Sequence, residues 1–341
     1  MSDLKGVGIG AGYFSQYHYE AWDRIDNVKI EAICDLDKDK AECVAEEWDI
    51  PNVYEDAREM LEKEKPDFVD IITPPSNHFE LIKLAADLDS AIICQKPLAP
   101  TYEEALSIVE YTRKREVRFM VHENWRFQPW YRKIKAMVDL GEIGDQLHFL
   151  NFRMRTGDGW TADAYMDRQP YFRNMPRLLI YETGIHFIDT YRYLAGEVSS
   201  VYARLKKFNK EIKGEDAGIV HLNFTSGAMG LYDGNRYNES RYEDDRYTFG
   251  EFTVEGSGGT MRLDGDGNLS IQKLGKSIQR VDYNHEKRGF AGDSVFYTQQ
   301  HFLNGLMKNE PFETNGSNYL RSLKVQEAIY KSAEKNSVIR M

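Results

Sequence analysis

The chain up to residue 121 alternates between short apolar runs and longer stretches with helical periodicity, and this alternation limits the fold more than any other feature. The apolar runs are Gly6–Ile9, Lys29–Cys34, Phe68–Thr73, Ala91–Cys94 and Val117–Val121. The helical stretches between them are Lys38–Trp48, Ala57–Lys63, Phe79–Asp87 and Glu103–Arg115. Strands that alternate with helices form a parallel sheet covered on both faces. We therefore predict an α/β domain with a doubly wound parallel sheet of the Rossmann type.

From residue 122 onward the apolar runs are longer, and apolar and polar residues alternate within them. These runs are Gln146–Arg155, Val198–Leu205, Ala217–Thr225, Ala228–Tyr232, Glu251–Glu255, Thr260–Leu263 and Leu269–Lys273. Short turns such as Gly256–Gly259 separate them, which favours a mostly antiparallel open sheet. Helices are predicted near Thr183–Leu194, Ser294–Lys308 and Ser317–Lys335. The prediction is a first domain over residues 1–121 and an α/β second domain over 122–341, whose last helix could pack back on the first domain.

Composition excludes several classes of protein. The net charge of −11 disfavours nucleic acid and anionic membrane surfaces as partners. The apolar runs are far shorter than the ~20 residues that span a bilayer, and the start of the chain does not resemble a signal peptide. The cysteines, Cys34, Cys43 and Cys94, are too few and too irregular for a disulfide framework or a zinc site. No metal ligands are predicted, and a cytoplasmic location is expected.

The loop Gly10-Ala11-Gly12-Tyr13-Phe14-Ser15 follows the first apolar run and precedes a helical stretch. In such a loop the first glycine allows a tight turn, the second lets a pyrophosphate approach the backbone, and a small third residue lets helix and strand pack. Asp35 ends the next predicted strand, where a carboxylate can accept hydrogen bonds from ribose hydroxyls and repel a 2′-phosphate. We predict dinucleotide binding, with NAD favoured over NADP. A glycine turn in another doubly wound fold is the alternative.

Four motifs occur in order along the chain. They are Gly10-x-Gly12-x-x-Ser15-x-x-His18, the segment Asp70–His78, Gln95-Lys96-Pro97, and the segment Glu182–Asp189. With these motifs the sequence resembles the Gfo/Idh/MocA family of sugar and inositol dehydrogenases over most of its length. It departs from the family pattern at Gln95, where the family usually has Glu, and at Glu182, where it usually has Asp.

A narrower resemblance lies within that family. Gln-Lys-Pro followed by His122-Glu123-Asn124-Trp125-Arg126-Phe127-Gln128 is similar to the D-apiose dehydrogenases. Three further segments also fit that group, namely Arg155-Thr156-Gly157, Gln169-Pro170-Tyr171 and Gly214-Glu215-Asp216. The resemblance makes an aldopentose such as D-apiose a candidate substrate.

The family resemblance implies hydride transfer between a sugar or polyol carbon and nicotinamide. Oxidation of an alcohol needs a base for the hydroxyl proton and a cation near the developing alkoxide. His186 suits the base and Lys96 the cation. Glu182 lies four residues before His186, so on one helix it would share a face with it and orient it or bind a substrate hydroxyl. The structural alternatives are a core histidine and a surface lysine.

Further site residues are predicted by position. Predicted cofactor contacts are Gly10, Gly12, Tyr13, Phe14, Ser15, Asp35, Thr73, Pro74, Asn77, His78, Gln95, Lys96 and Asn124. Predicted substrate contacts are Arg126, Arg155, Tyr171, Glu182 and His186. Neutral Gln95 lacks the negative charge that a glutamate would place beside Lys96. We therefore expect Lys96 to share proton transfer with His186.

Two other functions remain open at this point. Some relatives resemble NAD-dependent glycosidases, which oxidise a sugar transiently and return the hydride. A non-catalytic nucleotide- or sugar-sensing subunit would also keep the fold, although the presence of both Lys96 and His186 argues against it. The expected partners are a small-molecule sugar or polyol and a second copy of the chain. The open sheet of the second domain would join the copies into a homodimer or homotetramer.

Overall fold

The computed structural model describes residues 3–341, which form two compact units. One unit comprises the chain up to Asn124 together with Ser294–Arg321, and the other comprises Trp125–Asp293 and Ser322–Met341. The observed division differs from the predicted one in two respects. It falls at Asn124 rather than at residue 121, and Ser294–Arg321 groups with the first unit because its helix packs there.

The first unit contains a six-stranded parallel sheet with the order β3-β2-β1-β4-β5-β6. The strands are β1 (Leu4–Ile9), β2 (Val28–Cys34), β3 (Asn52–Tyr54), β4 (Phe68–Ile71), β5 (Ala91–Gln95) and β6 (Phe119–His122). The helices that alternate with them are α1 (Ser15–Arg24), α2 (Lys38–Glu47), α3 (Ala57–Glu64), α4 (His78–Asp87) and α5 (Tyr102–Lys114). The predicted doubly wound sheet is confirmed. Only β3 was not predicted, since it has three residues and is half-buried throughout.

Side-chain caps fix where several of these helices begin. The Asp56 carboxylate accepts a hydrogen bond from the Glu59 backbone N–H at 2.7 Å and starts α3. The Thr101 hydroxyl accepts from the Glu104 N–H at 3.2 Å and starts α5. These caps lie at the loops that leave β3 and β5, so they help to set how each strand passes into the following helix.

The second unit is built on a nine-stranded sheet with the order β14-β13-β12-β11-β7-β10-β9-β8-β15. The elements are α6 (Pro129–Asp139), β7 (Leu147–Arg155), α7 (Ile185–Ala195), β8 (Val198–Lys206), β9 (Ala217–Phe224), β10 (Met229–Asn235), β11 (Gly250–Gly256), β12 (Gly259–Leu263), β13 (Leu269–Lys273), β14 (Gln279–Val281) and β15 (Ile339–Arg340). Neighbouring strands are antiparallel except β7 and β10, which are parallel. The mostly antiparallel sheet is therefore confirmed, whereas α6, β14 and β15 were not predicted.

One face of this sheet carries the core of the second unit. Strand β9 alternates buried and exposed residues along most of its length, so its inward side chains join an apolar cluster with those of α6 and α7. Trp130 of α6, Tyr191 of α7 and Phe152 of β7 are almost fully buried there. On the opposite face Ile219 is 47% and Met229 52% exposed. The sheet is thus covered on one side and presents apolar side chains on the other.

Two long helices complete the chain, α8 (Ser294–Lys308) and α9 (Gly316–Lys335). Within the first unit α8 packs on α1, and Phe302 meets Phe68 edge-on with ring centroids 5.5 Å apart. The division between the units falls inside α9, after Arg321. None of the helices within residues 3–341 combines the length and the hydropathy that a membrane span requires.

Candidate active site

The glycine loop between β1 and α1 leaves open space where a phosphate could approach. Gly10 has φ of +118°, and a Cβ there would lie 3.0 Å from the carbonyl carbon of Ile72, so a side chain is excluded twice over. A Cβ on Gly12 would meet nothing within 4 Å. Ser15 is buried, and its hydroxyl donates to the Gly12 carbonyl oxygen at 2.7 Å. The Ser15 hydrogen bond therefore stabilises the loop, and the space next to the Gly12 Cα stays open.

Asp35 stands at the carboxyl end of β2, next to the glycine loop. Its Oδ2 accepts a hydrogen bond from the Ala11 N–H at 2.7 Å, and its Oδ1 accepts from the Asp37 N–H at 2.9 Å. These two backbone donors fix the carboxylate in place and hold its negative charge beside the loop. This is the arrangement expected for a ribose-binding aspartate.

The loop after β4 combines an exposed tip with a buried base. Pro74 and Asn77 are exposed, whereas the buried Thr73 hydroxyl oxygen has no hydrogen-bond partner in the described part of the chain. His78 is buried, and its ring nitrogens lie 3.0 Å from the Leu98 carbonyl oxygen and 2.8 Å from that of Thr73. Burial lowers the pKa of His78. Both ring nitrogens of His78 therefore face backbone carbonyl groups, and its contact with the cofactor stays a prediction.

Lys96 directly follows β5, and its neighbour Gln95 holds it in place. The Gln95 Oε1 accepts from the Lys96 backbone N–H at 2.6 Å, and the Gln95 Nε2 lies 2.9 Å from His18 Nε2. After β6, the buried Asn124 donates from Nδ2 to the Ser294 hydroxyl at 3.0 Å. The predicted cofactor residues thus lie at the carboxyl ends of β1, β2, β4, β5 and β6, which parallel pairing brings to one edge of the sheet.

These residues fit a dinucleotide. The open space above Gly12 would take the pyrophosphate, Asp35 would accept from ribose hydroxyls, and the partnerless Thr73 hydroxyl would gain a polar partner. A metal site has no comparable support. Residues 3–341 contain no group of three or more histidine, cysteine, aspartate or glutamate side chains suited to an ion.

In the second unit, a buried arginine anchors the predicted Glu182. The Arg236 guanidinium donates to the Thr183 hydroxyl at 2.9 Å and lies 3.6 Å from a Glu182 carboxylate oxygen. It also binds Asp158 through two hydrogen bonds, one of them from Nε to Oδ1 at 3.2 Å. Burial would raise the pKa of Asp158, but the charge of Arg236 holds it below its usual value. Arg236 therefore favours the ionised form of Asp158 and lies beside the Glu182 carboxylate.

His186 and Glu182 do not lie on one continuous α-helix. Glu182 belongs to a π-helical segment, Leu179–Gly184, and α7 begins only at Ile185. The prediction of one continuous α-helix is therefore corrected, and the orientation of His186 by Glu182 stays a prediction. The Glu182 Oε2 accepts from the Thr183 hydroxyl at 2.7 Å. The His186 ring stacks on Trp125 with centroids 4.1 Å apart and planes at 13°.

A second carboxylate fixes the start of the π-helical segment. Glu215 accepts hydrogen bonds from the Leu178 N–H at 3.2 Å and the Ile180 N–H at 3.1 Å. The Tyr330 hydroxyl donates to the same carboxylate at 2.7 Å. Orphan N–H groups at this turn are thereby satisfied. Glu215 thus helps to set the direction in which Glu182 leaves the backbone.

The two arginines predicted to contact substrate are engaged within the protein. Arg126 is buried and forms a bidentate ion pair with Asp189, both contacts being 2.7 Å. Arg155 donates to the Asp233 carboxylate at 2.8 Å and to its carbonyl oxygen at 3.1 Å, which ties β7 to β10. These contacts show Arg126 and Arg155 as supports of the second unit. Their contact with substrate stays a prediction.

Tyr171 lies in the irregular segment between β7 and the π-helical turn. It is 58% exposed, and its hydroxyl accepts from Gln169 Nε2 at 2.8 Å. Partial burial and the nearby Glu182 charge raise the pKa of Tyr171 to about 12. Contact of Tyr171 with substrate stays a prediction.

Sequence reasoning missed Arg236 and Asp158 and gave Trp125 no role of its own. Arg236 and Asp158 are separated by 78 residues, and no spacing rule for an antiparallel sheet connects them. Trp125 stood inside the motif 122–128, but its stacking on His186 depends on tertiary structure. The one signal in the sequence is that Arg236 directly follows the run that forms β10.

Comparisons with known proteins agree with both units. Residues 5–123 match the oxidoreductase family Gfo/Idh/MocA with its NAD-binding Rossmann fold, and residues 131–262 match the Gfo/Idh/MocA C-terminal domain. The chain is similar to a D-apiose dehydrogenase from Paraburkholderia graminis, at 32% identity over 99% of this chain and 90% of that protein. It is also similar to a myo-inositol 2-dehydrogenase from Thermotoga maritima, at 26% identity over 98% and 97% of the two chains.

A solved structure is similar over the same length. It is an oxidoreductase from Agrobacterium radiobacter in complex with NAD+, L-tartaric acid and magnesium. The TM-score is 0.90 at 29% identity, covering 99% of this chain and 98% of that one. Sequence and structure agree over nearly the whole length, and the glycine loop, Asp35 and Lys96 stand where the motifs predicted them. The chain belongs to the Gfo/Idh/MocA family of NAD-binding oxidoreductases.

Proposed function

We propose that the protein is an NAD-dependent dehydrogenase that oxidises a hydroxyl group of a sugar or polyol, with an aldopentose such as D-apiose as the leading substrate candidate. The observation that carries the proposal is the open glycine loop beside the fixed Asp35 carboxylate. The similarity to a D-apiose dehydrogenase supports the choice of substrate class.

NAD is favoured over NADP because of charge. Asp35 is held by two backbone N–H groups beside the loop, so it cannot easily turn away from a ligand there. A 2′-phosphate would meet this carboxylate, whereas two free ribose hydroxyls would donate to it. Asp37, which follows closely, adds a second negative charge.

The chemistry divides between the cofactor and the chain. NAD, when bound, supplies the hydride acceptor. His186 accepts the hydroxyl proton as the C–H bond breaks, and the Lys96 ammonium stabilises the negative charge that develops on the oxygen. The stacked Trp125 ring restricts rotation of the His186 imidazole, so the base keeps one orientation. A base that is already oriented loses little entropy when the substrate arrives.

Glu182 suits the recognition of a hydroxyl group. Its carboxylate is held by the Thr183 hydroxyl and by the charge of Arg236, which keep it in one position. A fixed carboxylate rewards a ligand that donates a hydrogen bond and penalises one that cannot. This preference fits polyhydroxylated ligands better than apolar alcohols.

The direct test is formation of NADH by the purified protein with a panel of pentoses, hexoses and inositols that includes D-apiose. Turnover with NAD and at least one sugar is expected, and Lys96→Met should remove it. Tightly bound NAD with no net NADH would instead indicate the redox-cycling glycosidase reaction. Absence of turnover together with absence of NAD binding would overturn the proposal.

We also infer that copies of the chain associate through the sheet of the second unit. The side chains of Ile219 and Met229 are about half exposed on the face away from the core, in neighbouring strands. Burial of such a face by a second copy would be favourable. Ile219→Lys should lower the molar mass measured by light scattering, whereas Lys276→Glu, in an exposed turn, should leave it unchanged.

A further inference from the structure

A chain of buried hydrogen bonds runs through the first unit and ends at the backbone of Lys96. Asp70 Oδ2 lies 2.8 Å from His18 Nδ1, and His18 Nε2 lies 2.9 Å from Gln95 Nε2. The Gln95 Oε1 then accepts from the Lys96 N–H at 2.6 Å. The side chains of Asp70 and His18 are 0% exposed. Water therefore cannot replace the contact between Asp70 and His18.

The backbone N–H of Lys96 determines where the protons lie in this series of hydrogen bonds. A peptide N–H can only donate, so the Gln95 oxygen must face it and the Gln95 NH₂ must face His18. The His18 Nε2 must then be an acceptor. The proton of a neutral imidazole consequently sits on Nδ1, from which it is donated to Asp70. The Lys96 N–H thus fixes the orientation of the Gln95 amide, and the Gln95 amide fixes the tautomer of His18.

The groups around His18 are compatible with this assignment. Asp70 Oδ2 also accepts from the Trp22 Nε1–H at 2.7 Å, and Gln299 of α8 lies within 3.4 Å of the same oxygen. The ring of His122 of β6 packs against His18 with centroids 4.2 Å apart and planes inclined at 31°. Asp70 therefore fixes the His18 ring, and His18 in turn contacts Gln95.

We propose that Gln95 is a positioning residue that fixes the backbone of Lys96 and keeps His18 as the neutral Nδ1–H tautomer. Both ends of the Gln95 amide are used inside the protein, which separates this role from direct contact with the cofactor. The link to catalysis rests on the proposed function of Lys96. The hydrogen-bond chain itself does not.

The first test separates the kinetic constants. Gln95→Met keeps the length of the side chain but removes both hydrogen bonds, and we expect kcat to fall about 10- to 100-fold through misplacement of Lys96. The KM for NAD should change little. Gln95→Glu retains an acceptor for the Lys96 N–H and should recover most of kcat. A raised KM for NAD with unchanged kcat in Gln95→Met would overturn the positioning role. Gln279→Met, on exposed β14, is the matched control.

The second test needs no activity. Nitrogen NMR of histidine-labelled protein at neutral pH should show His18 protonated on Nδ1 and bare on Nε2, with assignment by loss of the signals in His18→Gln. In Gln95→Glu the new carboxylate oxygen faces Nε2, so both ring nitrogens should carry protons. Exchange of the Lys96 amide hydrogen should be about tenfold faster in Gln95→Met.

The outcomes of the two tests are distinguishable. Absence of NADH formation by the wild-type protein would contradict the proposed function but leave the tautomer and the amide exchange to decide on Gln95. A His18 that is protonated on Nε2 in the wild-type protein, or a Lys96 amide that exchanges equally fast in Gln95→Met, would overturn the proposal even in a fully active enzyme.

Discussion

The two units position their polar groups in different ways. In the first unit the predicted cofactor residues follow the ends of parallel strands, and the contacts that hold them are mainly hydrogen bonds to backbone groups, as at Asp35 and Gln95. In the second unit the key side chains are held by arginine–carboxylate pairs, Arg236 with Asp158 and Arg126 with Asp189. The first arrangement follows from topology, while the second depends on charges buried together.

This difference has a consequence for tolerance to change. A backbone N–H remains when a side chain is altered, so a substitution at the edge of the parallel sheet mainly changes what the loop can bind. Removal of one member of a buried ion pair leaves the other charged and without compensation. We therefore expect changes in the first unit to act on cofactor selection, and changes in the second unit to act strongly on stability as well as on activity.

The largest expected effect is on catalysis in the second unit. His186→Asn should lower kcat/KM for the sugar about 10²- to 10⁴-fold, since a positioned general base contributes that much. Steady-state NADH formation measures it, and His148→Asn, on an exposed position of β7, is the control. An unchanged kcat/KM would show that His186 is only a core histidine stacked on Trp125.

The next effect tests the buried ion pairs directly. Arg126→Met should lower the free energy of unfolding by about 3 kcal/mol, because the buried Asp189 carboxylate would keep only the Ser322 hydroxyl and the more distant Arg192 guanidinium at 3.9 Å. Arg153→Met removes a partner of Asp233 that is 52% exposed and should cost less than about 1 kcal/mol. Urea unfolding compares the two. Equal losses would remove the distinction drawn between buried and exposed pairs.

In the first unit the predicted effect is on cofactor choice rather than on stability. Asp35→Ser removes the charge that faces a 2′-phosphate, and we expect the ratio of kcat/KM for NAD to that for NADP to fall about 10- to 100-fold, or about 1.4–2.8 kcal/mol. The exposed Asp39→Ser, in the following helix, should leave the ratio unchanged. A ratio that does not move would show that Asp35 only braces the glycine loop.

The smallest effect concerns Asp245 of the second unit. Asp158 is held by the nearby Arg236, whereas Asp245 has a weaker attraction to arginine. Burial and then the charge of Asp158 raise the pKa of Asp245 from 3.8 to about 6. The folded state therefore binds the proton more tightly than the unfolded state, so ionised Asp245 destabilises the fold above about pH 6 and ceases to do so as the pH falls. Asp158 has the opposite shift, and its stabilising contribution is lost in acid.

Asp245→Asn should accordingly raise the free energy of unfolding at pH 8 but not near pH 4. The gain should not exceed about 1 kcal/mol, because water screens this partly exposed side chain. Urea unfolding at the two pH values measures it, with Asp266→Asn in an exposed turn as the control. A gain of equal size at both values would show that charge at position 245 is not the cause.

The sequence predicted the first unit well and the second only in outline. Gly10, Asp35 and Lys96 could be placed because parallel strands bring their carboxyl ends to one edge, whatever the details of packing. His78 was assigned to the cofactor because it lies in the right loop, yet its ring nitrogens face the backbone. Glu182 and His186 were placed on one helix because a π-helical turn cannot be read from apolar periodicity.

The sequence by itself determined the order of strands and helices, the glycine loop and the acidic residue that follows it, since these depend on local periodicity and on residues close along the chain. The tertiary structure alone decided which charges pair. Arg236 meets Asp158, and Arg126 meets Asp189, across long separations in sequence, because burial forces each charge to find an opposite charge with matching geometry. In the sequence alone, many carboxylates could serve as the partner of each arginine, and only the fold brings one of them into contact.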